Sequence, residues 1–115
     1  MRFKLILAMV NDEYQEDVIK TAKATGATGV TILNARGEGI HNQKSFFGLA
    51  MEAQKDLLLF LVEDFIADPI LEAIYDAGKL NEPGNGIAFS LNVDRAIGLE
   101  SQLSAMEKDA RENYF

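Results

Sequence analysis

The chain contains no cysteine. That excludes disulfides, zinc–thiolate sites, iron–sulfur clusters and thiol nucleophiles. It also lacks a basic excess: 11 Lys and Arg stand against 18 Asp and Glu, for a formal net charge of −7. Nucleic-acid binding needs a basic surface, so that partner class is set aside, and an electrostatic hold on an anionic membrane is equally disfavoured. The acidic balance reads as a solubility feature. No uninterrupted apolar run approaches the roughly 18 residues of a membrane span. The opening stretch Met1–Val10 is apolar, but it is short, has no A-x-A-like cleavage site and passes into an acidic segment. It reads as a strand rather than a signal peptide, and the expected location is cytoplasmic. His41 is the one histidine. With no second histidine or cysteine for metal ligation and no nucleophile motif beside it, it reads as a solvated loop residue.

What is present is an ordinary globular composition, 48% apolar and 25% charged over 115 residues. This suits a single domain with one core. In Phe3–Val10, Phe3, Leu5, Leu7 and Met9 alternate with Ile6, Ala8 and Val10, so both faces of this first strand are apolar. Asn11 or Asp12 is placed to cap the next helix, whose stripe is Val18, Ile19 and Ala22 and whose stop is Gly26. Gly29–Ala35 reads as a second strand, and Asp56–Val62 as a third that is buried on both faces. A second helix spans Phe65–Ala77, with Asp68 as cap, Pro69 in the first turn, and Ile70, Leu71 and Ile74 as its stripe. The turn-rich Asn81–Gly86 leads to a last strand in which Ile87, Phe89, Leu91 and Val93 share one side. From about residue 100 a polar tail follows; Leu99, Leu103 and Met106 have helical spacing.

The order strand, helix, strand, loop, strand, helix, strand predicts an α+β, ferredoxin-like βαββαβ sandwich over residues 1–99. Both helices cover one face of a four-stranded antiparallel sheet. The other face then carries apolar residues without cover, and self-association is its expected remedy.

Between the second and third strands lies a loop of 19 residues, Gly37–Lys55. Connections are usually about 4–6 residues, and longer ones tend to be functional or disordered. This one carries Lys44, Phe46 and Phe47, residue types suited to a partner interface. The competing reading is that Phe46, Phe47 and Leu49 fold back as local anchors. Two glycine pairs flank the loop and the last strand, Gly37-Glu38-Gly39 and Gly84-Asn85-Gly86. Glycine lets backbone N–H groups approach a ligand closely, although G-x-G is equally the signature of a plain turn. Acidic pairs drawn from Glu38, Glu52, Glu63 and Asp64 have no spacing that demands catalysis. No enzymatic constellation emerges.

Thr28-Gly29-Val30-Thr31, Arg36-Gly37-Glu38-Gly39, Lys55 and Pro83-Gly84-Asn85-Gly86-Ile87-Ala88-Phe89 occur in the order and spacing of a known family. Over nearly its whole length to Leu99 the chain resembles the PII signal-transduction proteins, the nitrogen-regulatory family. That resemblance implies a homotrimer with ATP or ADP bound in clefts between subunits. It further implies a long loop that docks onto a transporter or metabolic enzyme, with no catalytic residue. It places Thr31, Gly37, Gly39, Lys55, Gly84 and Gly86 around the nucleotide, and Lys44, Phe46 and Phe47 on the docking loop. The chain departs from the family where basic residues hold the phosphates. Those positions are Ile40, Ile87, Gly98 and Glu100, leaving Lys55 as the clear phosphate partner. Each lost charge-assisted contact removes about 1.5–3 kcal/mol. A PII-like regulator answering to ATP, ADP or AMP is therefore expected to hold the nucleotide weakly. The alternative is a module of the same fold that senses another small ligand or acts by protein contact alone. An acylphosphatase-like enzyme would need an oxyanion-binding arginine loop, and neither Arg36 nor Arg95 has catalytic company.

Overall fold

The computed structural model describes residues 2–35, 45–46, 49–50 and 55–99, with 45–46 and 49–50 as backbone alone. The elements in chain order begin with β1 (Phe3–Asn11), a 3₁₀ turn (Asp12–Tyr14), α1 (Gln15–Thr25) and β2 (Thr31–Ala35). The short strands β3 (Ser45–Phe46) and β4 (Leu49–Ala50) follow, then β5 (Lys55–Glu63), α2 (Asp64–Ala77) and β6 (Gly86–Val93). Four strands form one sheet in the order β2-β5-β1-β6. All of its pairings are antiparallel, so the expected ferredoxin-like sandwich is the observed one.

Alternation decides what each face buries. Ile6, Ala8 and Val10 of β1 and Leu58, Phe60 and Val62 of β5 are sealed beneath the helices, against Val18 and Ala22 of α1 and Ala67, Ile70 and Ile74 of α2. Fully burying an aliphatic or aromatic side chain of this size contributes about 1.5–3 kcal/mol, which makes this layer the main source of stability. The register sets Leu5, Leu7 and Met9 directly opposite Leu61, Leu59 and Leu57 on the other face. On their second side Leu5 and Leu7 meet Leu91 and Phe89. Phe89 and Leu91 are exposed, as is Leu33, which pairs with Leu57. The large residues of β6 thus lie on the face turned away from the helices, and the small Ala88 packs against the core.

Several local expectations are corrected. Asn11 precedes the 3₁₀ turn in extended conformation, but its side chain caps nothing. The helix proper starts at Gln15. Helix α2 begins at Asp64, not at an Asp68 cap, and Pro69 lies inside it. The run from Asp64 to Ala67 supplies a full turn ahead of the proline, because Ala67 has a core position to fill. The third expected strand gains Lys55 and Glu63 at its ends, and the second begins at Thr31 rather than Gly29. The long connection also carries a small antiparallel ribbon, with Ser45 opposite Ala50 and Phe46 opposite Leu49.

Candidate functional site

Two polar side chains are buried among the described residues, Lys55 and Asp56, and they are neighbours at the start of β5. Period-two alternation sends them to opposite faces of the sheet. Lys55 is 1% exposed. Its Nζ donates to the Gly84 carbonyl at 2.7 Å and to the Asn11 side-chain oxygen. Asn11 Nδ2 in turn donates to Asn85 Oδ1 at 3.1 Å. Asn85 Nδ2 reaches back to the Lys79 carbonyl at 3.0 Å and to Glu82 Oε2 at 3.1 Å. One network therefore ties the end of β1, the start of β5 and the whole 79–86 turn together. Burial without a carboxylate partner pulls the Lys55 ammonium below its ordinary value, since desolvation disfavours the charged form.

The glycines of the turn are required by geometry. Gly84 has φ +81 and Gly86 has φ +149. A Cβ on Gly86 would stand 2.0 Å from the Met9 carbonyl oxygen, so no other residue fits beside β1. Beyond Gly86 an open groove between α2 and β6 is lined by Leu71, Tyr75, Leu80 and Ile87.

The other face of β5 carries Asp56, 3% exposed. It accepts a hydrogen bond from Gln15 Nε2 at 3.0 Å, and burial pushes its carboxyl above the ordinary value.

Of the residues expected around a ligand, Lys55, Gly84 and Gly86 come together, with Lys55 bonded directly to Gly84. Thr31 does not join them. It is exposed at the start of β2 and pairs with Leu59, four residues along β5 from Lys55, which is about 13 Å at strand rise. Gly37, Gly39, Lys44 and Phe47 lie outside the described residues, as does the side chain of Phe46. Asn11 and Asn85 were missed by sequence reasoning. Asn11 resembles a helix cap and Asn85 a turn filler, and the only hint was that both are amides able to bridge two partners.

Comparison with known proteins settles the family. Residues 3–102 match the family model described as nitrogen regulatory protein P-II. The chain belongs to the P-II family. It is 30% identical over 99 residues to the nitrogen regulatory protein GlnK2 of Haloferax mediterranei, covering 82% of this chain and 80% of that relative. It is 30% identical over 105 residues to the nitrogen regulatory protein P-II of Haemophilus influenzae, covering 85% and 92% respectively. Among solved structures it resembles a PII-like signalling protein from Thermus thermophilus, with a TM-score of 0.60 and 26% identity over 81% of this chain and 87% of that one. This P-II protein thus has the ferredoxin-like fold and the regulatory character of its family, at a sequence distance that marks it as divergent.

Proposed function

We propose that this P-II protein is a cytoplasmic homotrimeric regulator, not an enzyme, which controls a membrane transporter or metabolic enzyme by docking residues 37–54. An adenine nucleotide, ATP, ADP or AMP, is its proposed effector, held in a cleft between copies. The observation that supports this best is the bond from Lys55 to Gly84. It joins the residue that follows the docking segment to the glycine turn where a phosphate would lie, so occupancy at the turn has a direct route to the segment. Thr31 fits the same picture. Strands β2 and β6 are opposite edges of the sheet, so Thr31 can meet the Gly84–Gly86 turn only by coming from a neighbouring copy. Lys44, Phe46 and Phe47 are the proposed contacts with the target; the 100–115 tail lies outside the described residues. Nucleic acid is no part of the scheme. Among the described residues no helix is long and apolar enough to cross a membrane.

Isothermal titration of the full chain with ATP, ADP and AMP tests the effector. Binding heat with a dissociation constant on the order of micromolar to millimolar is expected, because most of the family's basic phosphate contacts are replaced. No heat with any nucleotide at millimolar concentration removes the nucleotide from the scheme.

A second reading has its own support: Lys55 is already satisfied internally by Asn11 and Gly84 and is closed to solvent. Under it the protein senses a different small ligand, or none, and the docking segment acts through protein contact alone. Capture of the target by the full chain, undiminished when nucleotide is removed, favours this second reading.

A further inference from the structure

Lys55 is the cation left to meet a phosphate at the glycine turn, yet it is only 1% exposed. No anion reaches its Nζ unless a present partner gives way. Among the described residues those partners are the Gly84 carbonyl and the Asn11 amide oxygen. The carbonyl is backbone and moves only with its turn, whereas the Asn11 side chain can swing aside by changing rotamer. An anionic oxygen adds a Coulomb attraction to the ammonium that a neutral amide oxygen lacks, so a phosphate in reach displaces Asn11.

What holds Asn11 in place lies further out. Its Nδ2 donates to Asn85 Oδ1 at 3.1 Å. Asn85 Nδ2 donates in turn to the Lys79 carbonyl at 3.0 Å and to Glu82 Oε2 at 3.1 Å. Each amide accepts on its inner side and donates on its outer side. The links therefore form one directed chain from a buried ammonium to a carboxylate, and bonds arranged in this way strengthen one another. The two outermost bonds are exposed, where exchange with water costs little. The chain is thus weakest on the 79–86 turn, the side from which a ligand comes. A Cβ on Gly84 would meet nothing within 4 Å, so there is open space beside the residue that Nζ bonds.

We propose that Asn11 and Asn85 form a latch on Lys55: Asn11 fills the place on Nζ that a phosphate oxygen would take, and Asn85 holds it there until a ligand loosens the turn. The phosphate rests on the proposed function above; the closing of Lys55 by the two amides does not. Asn85 is a positioning residue that acts through Asn11. Only the unlatched fraction of molecules accepts the ligand, so the latch weakens the apparent affinity by that fraction. Weak nucleotide binding then has two sources, the replaced basic residues and a lysine that must first be released. Cutting the latch removes the second alone.

The test compares the full chain with its Asn11→Ala and Asn85→Ala variants. Competitive acylation of lysines without nucleotide, quantified by mass spectrometry, reads the access to Lys55; calorimetric titration with ATP and ADP reads the affinity. In the wild type Lys55 is expected to label far more slowly than the exposed Lys20. Asn11→Ala should speed Lys55 labelling about tenfold and tighten nucleotide binding about tenfold, the gain from removing a latched state populated about ten to one. Asn85→Ala should move both in the same direction by less. The rise in labelling must exceed any rise in amide exchange at Leu58–Phe60, which reports opening of the whole core. Lys55 labelling equal to Lys20 in the wild type, labelling unchanged in either variant, or nucleotide binding no tighter in the variants overturns the latch. If no chain takes up nucleotide, the proposed effector falls and labelling decides the latch by itself. If Asn11→Ala fails to fold, Asn85→Ala decides both readouts.

Discussion

Asn11 stands where a helix cap is expected and does something else: its amide oxygen takes the Lys55 ammonium and its nitrogen donates to Asn85. Asn11→Ala therefore removes two side-chain bonds and leaves a buried cation with one partner fewer. A loss of about 1–3 kcal/mol in urea unfolding is expected, the range for leaving buried polar groups unsatisfied. Gly86→Ala should be worse. Its Cβ would meet the Met9 carbonyl at 2.0 Å with φ +149, and a loss on the order of 4 kcal/mol or failure to fold is expected, measured the same way. Lys55 gives a pH signature. Its folded value is lowered below 10.5, so between the two values the unfolded chain binds more protons and stability rises with pH. Comparing wild type with Lys55→Met in alkaline unfolding titrations should show that rise vanish in the variant. These residues were only half legible in the sequence. Gly84, Gly86 and Lys55 could be named from their pattern, whereas Asn11 is 74 positions from Asn85 and nothing local pairs them.

At the scale of elements, α1, β1, β5 and β6 follow their apolar alternation almost residue for residue. Pro69 is the exception. As the sixth residue of α2 it cannot donate to the Phe65 carbonyl and its ring crowds that group. Sequence logic set it at a helix start because that is where proline costs least. Burial of Ala67, Ile70 and Ile74 along one stripe carries the helix through it instead. Pro69→Ala should accordingly raise stability by about 1–3 kcal/mol, read as a higher urea midpoint at unchanged slope. An unchanged or lower midpoint would show that the proline's restriction of the unfolded chain outweighs the missing helix bond.

For the whole molecule the decisive feature is the sheet face that none of the described helices covers. Leu5, Leu7, Leu57, Leu59 and Leu61 pair across it, and Phe89 and Leu91 extend it to the β6 edge. An apolar surface of this continuity on a chain with net charge −7 points to association through that face. Light scattering on the full chain should give three times 12.7 kDa. Leu7→Lys, at the centre of the face and away from the helix-covered core, should shift the mass toward 12.7 kDa while circular dichroism stays folded. A monomeric wild type would refute the trimer.

The sequence by itself determined the order of the four main strands and two helices, the two faces of β1 and β5, and the glycine turn ahead of the last strand, and it carried the family resemblance. Each is written in short-range spacing, and period two or 3.6 needs no knowledge of neighbours. Only the tertiary structure decided that Lys55 is closed off by Asn11 and Gly84, that Asp56 is buried against Gln15, and that Thr31 and the Gly84–Gly86 turn lie on opposite sheet edges. These depend on strand register and order, which bring together residues tens of positions apart. Local pattern carries no record of that pairing.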